Sequence, residues 1–321
     1  MKKLAVLITL FLIMGQTSLT FGQKFPSKPI RYIVPFAAGG GTDIVARLIA
    51  KPMEKELGQK IFVENIPGGS TKVGTMACMD AKPDGYTIMQ ASELTWLGGY
   101  YSQSFDSKVW EKLTPLANIA LEPFGFYFVR TESPFKTWAD LVKYAKENPG
   151  KQLTCGISSR GAYDILGEEA AKSFGIRLFK RVPFTGGNPA IVALIGGHID
   201  MHMGIASEAM PMLLAGKVRG LAIQTEKRLP QLPNVPTFKE MGHDVLKITA
   251  TRSIWGPPNM PKNIVDIYSK AIEKATKDPE FVKTVEETYV HTVEFRTGSK
   301  MLDPIREYDK QLGPRLAQFN D

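Results

Sequence analysis

The sequence predicts an α/β protein built as two lobes, and three observations point there. Short apolar runs rich in β-formers alternate with amphipathic helical stretches, the alternation passes through two cycles, and glycine-rich turns stand where strands run into helices. With 321 residues, 43% hydrophobic and 22% charged, the chain can fill cores and is not disordered in bulk. Its length suits one large domain or two of roughly 100–200 residues.

Lys2 and Lys3 precede an apolar run at 4–14, and a small, polar stretch follows up to Gly22. That is the three-part pattern of a secretory signal peptide, too short for the roughly 20 residues that a membrane-spanning helix needs. Cleavage after Gly22 leaves 299 residues at a net charge of +6, because both leader lysines go with it. The expected product is soluble and exported.

Residues 30–36 (IRYIVPF) read as a strand, 44–57 as a helix closed by Gly58, 61–64 as a strand, 73–81 as a helix stopped at KPDG, and 86–90 as a strand. This is the rhythm of a parallel sheet with right-handed crossovers. The second cycle places strands at 126–129, 153–156, 179–182, 199–203 and 221–224. Its helices fall at 137–148, capped by Thr137, at 163–174 and at 189–195. A short helix at 237–241, an extended stretch at 245–255 and helices at 261–277, 279–288 and 302–319 complete the chain. The expected partition is 1–22 signal peptide, 23–123 lobe 1, 124–247 lobe 2 and 248–321 the remainder of lobe 1.

The 40 Lys and Arg against 32 Asp and Glu give a net charge of +8, scattered rather than blocked, so nucleic acid is not an expected partner. Two cysteines, Cys78 and Cys155, cannot form a disulfide scaffold and read as buried thiols. The loop at 37–43 (AAGGGTD) joins a strand to a helix start, where unpaired N–H groups and the positive dipole end favour an anion. It matches neither dinucleotide nor P-loop spacing, so no cofactor is expected, and by itself it is equally a tight turn with an N-cap. Loops of the same kind recur at 156–162 and 182–190, and three such loops from strand carboxyl ends can meet in one crevice. His198 and His202 have a metal-like spacing, but a strand would hold them over roughly 13 Å apart, and no metal is expected. Trp96, Tyr100, Tyr101, Phe105 and Trp110 read mainly as packing, with Trp96 and Ser92 set apart as candidate ligand contacts.

The segments KPIRYIVPFAAGGGTD (28–43), VENIPGG (63–69), KPDGYT (82–87), AKENPGK (145–151), VPFTGGNPAIVALIGGHID (182–200), RLPQLPNVPTFKEMG (228–242) and GPPNMP (256–261), in this order, resemble the exported receptors of the tripartite tricarboxylate transporter family, the TctC or Bug proteins. The resemblance implies a two-lobe, type II periplasmic-binding-protein fold that closes on a small carboxylate and delivers it to membrane permease subunits. A periplasmic monomer without catalytic residues is implied. One ligand carboxylate falls to the loop with Phe36, Ala38, Gly39, Gly40, Gly41, Thr42 and Asp43. The other falls to Phe184, Thr185, Gly186, Gly187, Asn188, Pro189 and Ala190. Ser92, Ser158, Ser159, Gly161 and Ala162 match contacts at the side of the pocket.

Three departures bear on the ligand. Phe184 stands where the family usually has Tyr, Thr185 where it often has Lys, and Asp164-Ile165 where it usually has a His-Leu pair. An acidic Asp164 near the pocket would disfavour a highly anionic ligand, and Phe184 with Trp96 would suit an apolar body. Two other readings stand beside this one: a secreted hydrolase or transferase using Ser158 or Ser159 without a recognisable nucleophile elbow, and a sensory or scavenging binding protein without its own permease.

Overall fold

The computed structural model describes residues 25–158 and 161–319. The expected signal peptide and Ser159 lie outside the described residues. β1 (Ile30–Val34) is an almost wholly buried apolar run, as a parallel strand covered on both faces must be. It is followed by α1 (Gly41–Leu57), β2 (Ile61–Asn65), α2 (Lys72–Met79), β3 (Thr87–Ala91) and α3 (Glu93–Tyr101). Of the aromatics after the third strand, Trp96, Tyr100 and Tyr101 lie on α3 while Phe105 and Trp110 follow it, and Trp96 packs edge-on against Trp255 at 5.1 Å.

β4 (Thr114–Arg130) departs most from expectation, running 17 residues where the pattern marked only its end as a strand. The chain continues through α4 (Trp138–Glu147), β5 (Thr154–Ile157), α5 (Ala162–Phe174), β6 (Lys180–Pro183), α6 (Gly187–Ile195), β7 (Met201–Ile205), α7 (Ala206–Leu214) and β8 (Val218–Ile223). β9 (Thr249–Gly256), α8 (Lys262–Ala275), α9 (Pro279–Lys283), β10 (Thr292–Arg296) and α10 (Asp303–Leu316) complete it. The helix expected at 237–241 is a single turn. Thr237 and Glu240 cap each other there, but the backbone does not continue as a helix.

Strands follow the order β2-β1-β3-β9-β4-β7-β5-β6, with β8 and β10 also paired to β4. The pairs built by crossovers, β1 with β2 and β3 and β5 with β6 and β7, are parallel, whereas β9 and β4 run antiparallel to their neighbours. The sheet is thus mixed rather than parallel throughout. β4 belongs to both lobes: its residues up to Pro123 pair with β9, and those from Phe124 pair with β7 and β8. At the crossing, Phe124 N–H donates to the Ile248 carbonyl at 2.9 Å, so the outgoing and returning strands are bonded to each other. Gly125 takes φ +82°, a conformation that side chains with a Cβ rarely adopt.

Three apolar clusters fill the interior, one beneath α1 and α8, one beneath α6 and α7, and one running from Trp96 and Trp255 to Tyr127 and Trp138. Cys78 and Cys155 are free and buried, and burial pushes both thiols up to about 12. Among the described residues no helix is long and apolar enough to cross a membrane.

Candidate ligand-binding site

The carboxyl ends of β1, β3, β5, β6 and β7 each feed a helix, and the N-termini of α1, α3, α5, α6 and α7 converge on one small cavity of about 20 Å³. Its walls are Phe36, Gly40, Gly41 and Thr42 at α1, Ser92 and Thr95 at α3, Ser158 and Tyr163 at α5, Gly187 at α6, and Ile205 and Glu208 at α7. Phe124 of β4 and Arg252 of β9 close it. Each helix start presents backbone N–H groups and a positive dipole end, so their convergence favours negative charge.

Part of that preference is already met by the protein. Asp43, Glu93, Asp164 and Glu208 lie in the first turns of α1, α3, α5 and α7, and α6 has no acid there. Asp43 accepts from Gly39 N–H at 2.9 Å, from Arg47 Nε at 3.0 Å and from Asn65 Nδ2 at 2.9 Å, which fixes the glycine loop and turns the carboxylate away from the cavity. Asp164, expected to burden an anionic ligand, accepts from Gly161 N–H at 2.7 Å and pairs with Arg181, so its charge is balanced inside the fold. Trp96 lines neither this cavity nor the cleft beside it: it is buried and its indole N–H donates to Thr75 Oγ1 at 3.0 Å.

The other expected residues divide by position. Phe184 and Thr185 line a neighbouring cleft of about 380 Å³ that shares Phe36 and Ser158 with the cavity. Ala37 N–H donates to the Thr185 carbonyl at 3.3 Å and Asn188 Nδ2 to the Ala38 carbonyl at 3.3 Å, two bonds that join the lobes at the rim. A Cβ on Gly186 would lie 3.3 Å from Ala37 N, and one on Gly161 would lie 2.5 Å from Gly98 Cα, so both glycines serve close backbone packing. Gly39 stands beside Asn188, whereas Ala162, Pro189 and Ala190 belong to helix first turns and do not line the cavity.

Sequence reasoning missed the charged residues of the site, although each interrupts an apolar strand or helix start. Arg252, 2% exposed, pairs with Glu122 and donates from Nη1 to Thr42 Oγ1 at 3.3 Å. Glu122 also accepts Ser207 N–H at 3.2 Å and lies 3.0 Å from His291 Nε2. Burial raises the Glu122 carboxyl, but His291 and Arg252 outweigh it and hold the group at about 2. Glu93 goes the other way: burial lifts it to about 7 against the hydrogen bonds of Ser253 and Trp255. Two buried donors lining the cavity, Ser92 Oγ and Arg252 Nε, have no hydrogen-bond partner.

Residues 45–302 match the family model for the tripartite tricarboxylate transporter family receptor, TctC. The chain belongs to this family. A relative from Agrobacterium vitis, named UPF0065 protein in the TAR-I ttuE-ttuC' intergenic region, is 33% identical over 260 residues, covering 80% of this chain and 74% of that protein. Protein BugT of Bordetella pertussis is 26% identical over 88% of this chain and 87% of its own. Among solved structures, the periplasmic binding protein BugD superposes with a TM-score of 0.76 at 26% identity, covering 92% of this TctC receptor and 97% of BugD. MatC of Rhodopseudomonas palustris with bound malate superposes with a TM-score of 0.77 at 25% identity, covering 92% and 99%. The two-lobe periplasmic-binding-protein fold is therefore this receptor's fold.

Proposed function

We propose that this receptor works in the periplasm, closes its two lobes over a small carboxylate and hands it to the membrane subunits of a tripartite transporter. The observation that carries the reading is the pair of partnerless buried donors, Ser92 Oγ and Arg252 Nε, in a cavity ringed by five helix N-termini. A buried polar group without a partner costs about 1–3 kcal/mol, and a carboxylate oxygen relieves that penalty at each donor. The malate in MatC agrees in class. We assign the ligand contacts to Gly40, Gly41, Thr42, Ser92, Ser158 and Arg252, and the hinge to 123–125 and 248–249, where the crossing strands are bonded together. The hydrolase reading gains nothing at Ser158, whose hydroxyl pairs with the Tyr163 phenol, while the His202 imidazole is committed to Gly156 and Glu208.

Ser92→Ala tests the reading cleanly, because the hydroxyl has no partner in the free protein. Urea unfolding should show the variant at least as stable as the parent, because the unmet desolvation cost of the hydroxyl goes with it. Calorimetry with the carboxylate that gives the largest thermal shift should show about tenfold weaker binding, the loss of one hydrogen bond to a charged group. Equal affinity in parent and variant, or no thermal shift with any mono-, di- or tricarboxylate, sinks the site. Membrane subunits that accumulate the ligand equally with and without the receptor would remove the delivery step.

A further inference from the structure

The cavity contains a carboxylate of the protein's own. Glu208 is 6% exposed, lines the cavity, and accepts at Oε1 from His202 Nε2 at 2.7 Å and from Ile205 N–H at 3.1 Å. His202 Nδ1 lies 2.8 Å from the Gly156 carbonyl, which only accepts, so that nitrogen carries a hydrogen. The contact between Nε2 and the carboxylate needs another, and the two side chains form a neutral pair that fixes the orientation of the carboxyl group. A Cβ on Gly204 would overlap Glu208 Oε1, and a Cβ on Gly187 would overlap Oε2. Two glycines thus make the cradle that admits the group. α6 is the one helix of the five without an acid in its first turn, and Glu208 brings one to it from α7.

We infer that Glu208 occupies from within the position at the start of α6 that a second ligand carboxylate would take, so that the preferred ligand is a monocarboxylate with a hydrogen-bond donor, an ammonium or amide, at its other end. The inference rests on reading the cavity as a carboxylate site. The free donors Ser92 Oγ and Arg252 Nε line the same cavity and take the ligand's single carboxylate. A second carboxylate would set acceptor against acceptor at Glu208 with no hydrogen to share, whereas a donor group meets an acceptor already in place.

The test is calorimetry at pH 7 with 4-aminobutyrate and glutamine against succinate and glutarate. The parent should bind the better of the first pair at least tenfold more tightly than either dicarboxylate. Glu208→Ser, which empties the cradle, should reverse the order. Should that variant fail to fold, Glu208→Gln keeps the volume and should weaken 4-aminobutyrate about tenfold. Dicarboxylates binding the parent as tightly as 4-aminobutyrate overturn the inference alone, as does an unchanged ranking in Glu208→Ser or an unchanged affinity in Glu208→Gln. If no carboxylate of either kind binds the parent, the carboxylate reading of the cavity falls as well.

Discussion

The two walls of the cavity are made from the same part, a strand running into a helix start, and they finish with opposite character. On the lobe 1 wall, α1 and α3 contribute Thr42, Ser92 and Thr95, and β9 adds Arg252, with Ser92 Oγ and Arg252 Nε left as free donors. On the lobe 2 wall, the one charged side chain among the described residues that lines the cavity is Glu208, which serves α7 and leans on α6. A helix N-terminus is therefore an anion site only to the extent that no side chain of the protein has already filled it.

The largest effect expected from breaking this contrast is at Arg252. Arg252→Met strips Glu122 of its guanidinium and leaves a buried carboxylate with His291 and Ser207 N–H, so urea unfolding should report a loss of about 3–5 kcal/mol. Adding Glu122→Leu should recover most of it, since an apolar pair leaves no charge buried alone.

Next comes Glu93, whose folded carboxyl titrates at about 7 against an ordinary value of 4.5. The unfolded chain loses that proton first, so stability falls as pH rises through this window and levels off above it. Glu122, held at about 2, acts in the opposite window: its contribution is complete above 4.5 and is lost as pH falls toward 2. Glu93→Gln should flatten the upper limb by about 3 kcal/mol between pH 5 and pH 8, read from urea midpoints, and leave the acid limb in place. A parent whose stability does not fall between those pH values contradicts the assignment.

A smaller effect belongs to the lobe 2 wall. Gly204→Ala should destabilise by about 1–3 kcal/mol, because the added methyl overlaps Glu208 and lies 2.5 Å from His202 Nε2. In a double-mutant cycle with Glu208→Ser the two changes should couple by about 1 kcal/mol or more. Strict additivity would show that the cradle does not hold the carboxyl group.

Helix starts and glycine loops were legible in the sequence because their causes are local. Thr137 caps α4 through its own side chain, and Gly58 ends α1 in a left-handed conformation. β4 was hidden because Pro115, Glu122 and Pro123 break its apolar pattern; the strand tolerates them beside register shifts and at the crossing between lobes. The charged half of the site was hidden for another reason. Arg252 and Glu122 meet across 130 residues, and no spacing rule links them. Gly187 was noticed for its permissive loop, but the neighbour that a side chain there would meet, Glu208, comes from the later helix α7 and could not be read from the loop.

The strand order has a consequence for how the chain assembles. β3 and β4 are not neighbours, because β9 lies between them, and β9 is synthesised only after every strand of lobe 2. Sheet pairing in lobe 2 needs nothing beyond residue 223, so that lobe can finish first during synthesis from the N-terminus. Lobe 1, where the described chain both starts and ends, must wait with two strand edges unpaired. The half of the molecule that begins first is thus the half that closes last.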